Sequence, residues 1–175
     1  MTRTVTRFPL LSRVLHWTMA VLIVAMLFIG VGMVSTTSPR YDALLSIHRS
    51  IGIFILVLVA LRLINRLFNP PPSLPADLPV WQTMLAKASH LLLYGLMFAL
   101  PIIGWAMLSA GGYPFEIFGS IDLPPITPRD LALFAMLRSA HTILAFILFA
   151  TFLAHVGAAL FHGFIRRDGV LKSMT

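Results

Sequence analysis

The chain has 175 residues, of which 58% are hydrophobic and only 11% charged, with a formal net charge of +7. Its mean hydropathy is +0.91. So little polar surface cannot cover a water-soluble core, where about 25% charged residues is usual, so lipid must be the main solvent. The absence of cysteine excludes disulfides, thiolate-held iron–sulfur clusters, c-type haem attachment and cysteine nucleophiles.

Four apolar segments follow in chain order, about 14–34, 45–67, 85–108 and 137–164. Each exceeds the ~20 residues needed to cross a ~30 Å hydrocarbon layer as a helix. Lipid offers the backbone no hydrogen-bond partners, so helices are expected throughout. The first segment follows Arg3, Arg7 and Arg13 and resembles a secretory signal. It is long enough to span, and no small-residue cleavage site follows, so a retained helix is expected.

The breaks between segments are sharp. Ser35-Thr36-Thr37-Ser38-Pro39-Arg40 ends the first. Asn69-Pro70-Pro71-Pro72, then Pro75 and Pro79, predict a stiff, helix-free second connection. Gly111 to Asp130, with Gly111, Gly112, Pro114, Pro124, Pro125 and Pro128, is the longest loop and is expected to carry a short helix or a surface cap. Pro101 should kink the third helix. No internal repeat appears, so residues 1–175 read as one domain: an all-α membrane protein built as a four-transmembrane-helix bundle.

With four spans both termini share a side. That side would hold Arg3, Arg7, Arg13, Arg62, Arg66, Lys87, Arg166, Arg167 and Lys172 against Asp77 and Asp168. The other would hold Arg40, Arg49, Arg129 and Arg138 against Asp42, Glu116, Asp122 and Asp130. The positive-inside rule then places both termini in the cytoplasm.

Six histidines fall in or beside these segments. His16, His48, His90 and His141 open helices one to four, and His155 and His162 follow along the fourth. Ionisable residues within spans are costly and point to function. His141 and His155 are 14 residues apart, about 21 Å along a helix and about 40° short of four turns, so they share a face at two depths. Facing imidazoles from two helices would hold a six-coordinate, low-spin haem iron. One haem near each membrane face would carry electrons across in two hops. His48 is the partner for His141 on the outer level. On the inner level His155 could pair with His16 or with His90, and spacing prefers neither. His162 lies about 10 Å further in and is too shallow for the same iron. Inert hydrogen-bonded histidines at the headgroup boundary are the alternative. Zinc fits less well, because paired levels do not make a tetrahedral cluster.

These residues resemble the bacterial cytochrome b561 family. Arg13-Val14-Leu15-His16-Trp17 is similar to its R-x-x-H-W opening, and Ile47-His48-Arg49-Ser50-Ile51-Gly52 to its second-helix H-x-x-x-G. Arg62-Leu63-Ile64-Asn65-Arg66 and the prolines after it resemble its R-L-x-x-R and proline-rich connection. Ala88-Ser89-His90-Leu91-Leu92-Leu93-Tyr94, then Pro101 and Gly104, resembles its third helix, and His141, His155 and His162 its fourth. The resemblance covers nearly the whole chain. It implies a cytochrome of the bacterial inner membrane with two haem b groups, exchanging electrons with the quinone pool. It implies the ligand pairs His16 with His155 and His48 with His141, and places His90 and His162 near the inner haem edge or a quinone pocket.

One activity within the family oxidises superoxide on the periplasmic side and reduces ubiquinone. The family also resembles the cytochrome b subunits of hydrogenases and formate dehydrogenases. The function expected here is therefore electron transfer between a periplasmic-side donor, superoxide in one version, and ubiquinone. The alternative is a non-catalytic adaptor for a dehydrogenase or c-type cytochrome. A non-redox transporter or structural protein is a third reading, which a Soret band would exclude.

Arg49 and Arg138 flank the outer histidines and would pair with haem propionates, attract an anion, or simply anchor the interface. Arg62 and Arg66 would serve inner propionates or act as positive-inside anchors. Trp17, Trp81 and Trp105 fit an aromatic belt. Gly30, Gly32, Gly52 and Gly104 would permit close approach of a helix or porphyrin, and the methionines read as core filler. No hydrolytic constellation, phosphate cradle or nucleic-acid surface is present.

Overall fold

A computed structural model describes residues 7–36, 39–72, 75 and 77–175. Arg3, Thr37 and Ser38 lie outside the described residues. Four long helices dominate: α1 (Leu10–Val34), α2 (Arg40–Phe68), α3 (Val80–Gly111) and α4 (Leu131–Leu160). The last continues into a π-helical turn, Phe161–Arg166. All four are long and apolar enough to cross a membrane.

Each helix begins several residues before its apolar segment. Prolines explain three of these starts: Pro9, Pro39 and Pro79 directly precede α1, α2 and α3. Proline lacks the N–H that a first turn leaves unpaired, and its fixed φ suits helix entry. Asp130 caps α4, its Oδ1 accepting from the N–H groups of Ala132 and Leu133 at 2.8 and 3.0 Å. Such a cap contributes about 1 kcal/mol. Hydropathy marks only the apolar part of a helix, whereas backbone hydrogen bonding carries it into the polar boundary. The histidines therefore sit deeper than helix starts: His16 is in the second turn of α1, and His90 is ten residues into α3.

The third helix runs unbroken through Pro101. It ends at Gly112, whose φ of 73° is the left-handed conformation that glycine adopts without strain. Gly112 N–H donates to the Ser109 carbonyl and Tyr113 N–H to Leu108, both at 3.0 Å, which satisfies the last carbonyls.

The loop after α3 folds not as a helix but as a two-stranded antiparallel hairpin, β1 (Phe115–Ile117) and β2 (Ile121–Leu123). Phe115 and Ile117 point inward and pack with Leu108. The alternation of Phe115, Glu116 and Ile117 has a period of two, which a helix would waste. Arg49 donates to the Pro114 carbonyl at 2.8 Å, and Phe118 N–H donates to Ser50 Oγ at 2.8 Å. Trp105 Nε1 donates to the Pro124 carbonyl at 3.0 Å. The hairpin is thus pinned to α2 and α3 as a cap over that end of the bundle.

Helix α1 packs mainly on α2, and α3 on α4. Met19 and Val59 are fully buried in one cluster with Leu15, Ile55, Leu96 and Leu148. In lipid such contacts act through close packing rather than through release of water. At the end opposite the hairpin, Phe8 N–H donates to the Ser173 carbonyl and Trp17 Nε1 to that of Met174. Residues near the start and end of the chain therefore meet.

Candidate haem-binding site

Between the helices the imidazoles gather at two levels. Near the hairpin, the rings of His48 on α2 and His141 on α4 have centroids 6.1 Å apart and planes inclined at 65°. At the other level, His16 on α1 and His155 on α4 are 6.3 Å apart at 66°. His90 on α3 joins this second level, 5.4 Å from His155. Fourteen residues of α4 separate the two levels, about 21 Å.

The two levels differ in what surrounds the rings. At the hairpin level, called outer after the orientation expected from the charges, Nδ1 of both His48 and His141 is buried without a hydrogen-bond partner. Gly104 faces His141, and a Cβ there would lie 3.4 Å from His141 Cε1. The ring thus packs directly against α3 at Gly104, at ordinary contact distance. Arg49 is committed to the Pro114 carbonyl, and Arg138 is exposed on α4.

At the inner level Arg62 Nη1 donates to His16 Nδ1 at 2.8 Å, and its Nε donates to the Tyr94 hydroxyl at 3.1 Å. A guanidinium has donors only, so His16 Nδ1 is the acceptor. Arg62 and Arg66 also stand over the Tyr94 ring, 6.0 and 5.8 Å from its centroid. The His90 ring donates to the Ala86 carbonyl one turn back. His162 does not join this level; it sits in the π-helical turn against Asp168.

Several contributors were not singled out from sequence. Ser50 holds the hairpin, Asp168 holds His162, and buried Asn65 donates to Ser12 Oγ at 2.7 Å, tying α2 to α1. Asn65 and Ser50 carried a usable signal, being polar residues within apolar spans. Asp168, a lone acid after two arginines, reads as ordinary helix-end polarity.

These residues suit a b-type haem. Metal–imidazole bonds of ~2.0–2.1 Å put the centroids of two rings bound on opposite sides of one iron about 6 Å apart, which both levels match. Among the described residues no three His, Asp or Glu side chains form a metal cage, and haem needs only two protein ligands.

A bundle of membrane-spanning helices with imidazoles paired across its interior defines a membrane cytochrome of the b type. The family model for prokaryotic cytochrome b561 matches residues 7–175. The chain is 32% identical to "Cytochrome b561 homolog 2" of Escherichia coli K12 over 176 residues, covering 99% of this chain and 93% of that protein. It is 32% identical to "Cytochrome b561 homolog 1" of the same organism over 171 residues, 96% of each. It is 36% identical to "Probable superoxide oxidase CybB" of Yersinia pestis over 129 residues, 73% of this chain and 72% of that protein. The chain belongs to the prokaryotic cytochrome b561 family, whose members are multi-pass membrane proteins that bind haem b and transfer electrons.

Proposed function

We propose that the chain is a di-haem cytochrome that passes electrons from a donor on the outer side of the bacterial inner membrane to ubiquinone. His48 and His141 would hold the outer haem, and His16 and His155 the inner one. The observation carrying this reading is the pair of facing imidazole sets, 6.1 and 6.3 Å apart, at two levels of one bundle. The 5.4 Å between His90 and His155 is short for two rings on one iron, which favours His16 as the inner ligand and leaves His90 beside the haem edge.

Each haem supplies an iron that cycles by single electrons between its ferric and ferrous forms. The protein holds the ligands in place and excludes water. The hairpin, pinned through Arg49, Ser50 and Trp105, covers the outer pair. Ligation of iron by His16 through Nε2 requires Arg62 to release Nδ1, and an inner haem propionate offers that guanidinium a partner of opposite charge. Arg138 would serve the outer propionates or draw an anion inward, as would Arg49 through the donors it does not give to Pro114. The whole of residues 1–175 would act as one domain with both termini cytoplasmic. Arg7, Arg13, Arg62, Arg66, Lys87, Arg166, Arg167 and Lys172 all fall at that end by span order.

Superoxide is the donor favoured by the likeness to the Yersinia pestis protein. One observation favours the second reading, an adaptor for a redox protein. Glu116 and Asp122 lie directly opposite each other in the hairpin, both exposed. Like charges so placed cost stability, and an acidic lip repels an anion while attracting a basic partner. The test is a reduced-minus-oxidised spectrum with a haem-to-protein ratio, followed by superoxide-driven ubiquinone reduction. Two haems per chain and reduction by superoxide support the first reading. A haem that superoxide cannot reduce, but a co-purifying redox protein can, moves the assignment to the adaptor. Absence of a Soret band removes both.

A further inference from the structure

Helix α4 packs along α3 but not along α1, although His155 on α4 faces His16 on α1. Membrane helices associate through close packing of their surfaces, and this pair lacks it. At the end of the bundle opposite the hairpin, residues 168–175 cross from one helix to the other. The chain leaves the π-helical turn Phe161–Arg166 and reverses through Arg167 and Gly169, with φ of 52° and 87°. A short 3-10 turn, Leu171–Ser173, follows. It finishes at the start of α1, where Phe8 N–H donates to the Ser173 carbonyl at 3.0 Å and Trp17 Nε1 to the Met174 carbonyl at 2.9 Å.

Both ends of this strap are fixed. At its root Asp168 Oδ1 accepts from Val170 N–H at 3.2 Å, and Asp168 Oδ2 meets His162 Nδ1 at 2.6 Å. Ser173 Oγ donates to the Val170 carbonyl at 2.7 Å, which closes the turn on itself. Leu171 seats on Gly163: a Cβ there would overlap Leu171 Cδ2 and lie 3.3 Å from Leu171 Cβ, so any larger residue must push the strap away. At the far end Trp17 adjoins His16, their rings edge to face with centroids 5.4 Å apart. The strap therefore ties the end of α4 to the start of α1, beside an inner histidine, where helix packing does not.

We propose that residues 168–175 form a strap that holds α1 against α4 and so sets how firmly the inner haem is retained. This role presupposes that His16 and His155 are the inner ligands. Loss of the inner haem then requires the ligand bonds to break and the two helices to part. The strap opposes the second step without contributing a ligand. The outer pair has a separate closure in the hairpin, pinned through Arg49, Ser50 and Trp105. The two levels should therefore release haem independently.

The experiment follows haem transfer from the purified, haem-loaded protein to excess apomyoglobin by the Soret change. Wild-type protein should release haem in two phases, and His141→Ala, which keeps only the inner haem, identifies the inner one. In Gly163→Ala the inner phase should speed up by about tenfold, the scale of one or two lost hydrogen bonds, with the outer phase unchanged. Gly157→Ala, where an added Cβ meets nothing within 4 Å, should match wild type. Trp17→Phe, which removes only the donor to Met174, should speed the inner phase by less. Adding Leu171→Ala to Gly163→Ala clears the overlap and should restore most of the wild-type rate. An unchanged inner phase in both Gly163→Ala and Trp17→Phe overturns the proposal. Equal acceleration of both phases does so too, because it shows general loosening. Failure of the double variant to recover also overturns it, because the fault then lies in the π-helical turn. A His16→Ala protein that keeps both haems removes the ligand reading itself, and the strap's role with it.

Discussion

The outer and inner levels of the bundle present the same pair of imidazoles, 6.1 and 6.3 Å apart, in opposite settings. At the outer level two rings face each other, their Nδ1 atoms unpartnered, under a hairpin tied down by Arg49, Ser50 and Trp105. At the inner level three histidines share space with Arg62, Arg66 and Tyr94, and the His162–Asp168 pair lies beyond them at the end of α4. Passing an electron requires only a rigid, dry ligand pair. Delivering it to a quinone also requires protons and charge compensation. On the proposed function, the difference in polarity would separate a port for electrons from a place where electrons and protons meet.

The largest effect expected from breaking this contrast is at the outer pair. No third histidine stands beside His48 and His141, so His141→Ala should lower the haem-to-protein ratio from two to one while the inner haem keeps its spectrum. Retention of both haems would show that the outer pair is not a ligand set. The inner level, with a spare histidine, gives the next test. His16→Ala should remove the inner haem, whereas His90→Ala should keep both and alter only the inner one's spectrum. The reverse outcome would make His90 the ligand and His16 the neighbour.

Smaller shifts sharpen the comparison. Arg62→Gln removes a positive charge from the inner level, where a ferrous haem is stabilised by it. A redox titration should show the inner midpoint potential lowered by on the order of 50 mV, just under a tenfold change for one electron, and the outer one unmoved. Equal movement of both would mean that Arg62 acts through the fold and not through local charge.

The smallest effect concerns Asp168. Burial alone would raise its carboxyl, but the hydrogen bonds from His162, Val170 N–H and Arg166 outweigh burial and hold it below the ordinary carboxylate range. A depressed carboxyl stabilises the fold above its unfolded value, and that contribution is lost as pH falls through the folded one. The protection of amides in residues 161–175, relative to their intrinsic exchange at each pH, should fall on strong acidification and stay constant through neutral pH. In Asp168→Asn it should already be lower at neutral pH and acquire no acid dependence.

Much of the fold was legible because lipid leaves few options. Long apolar runs must be helices when the backbone has no other partners, and residues 14–34 or 45–67 could hardly be anything else. The helix starts were not legible from hydropathy, although Pro9, Pro39 and Pro79 marked them. The hairpin at Phe115–Leu123 was hidden by glycines and prolines that fit any loop. Of the candidate site, His141 and His155 could be placed on one face because a single helix fixes their offset. How near His16, His90 and His48 come to them depends on how separate helices pack, which no spacing along the chain encodes.

The sequence by itself determined the solvent, the number of spans and the two depths at which α4 offers an imidazole, since each follows from apolar length and helix geometry alone. Only the tertiary structure decided which rings face one another, that Arg62 bridges His16 to Tyr94, and that Asp168 turns back onto His162. Those are contacts between segments up to 139 residues apart for His16 and His155, set by packing and by hydrogen bonds that must close within a medium offering no others.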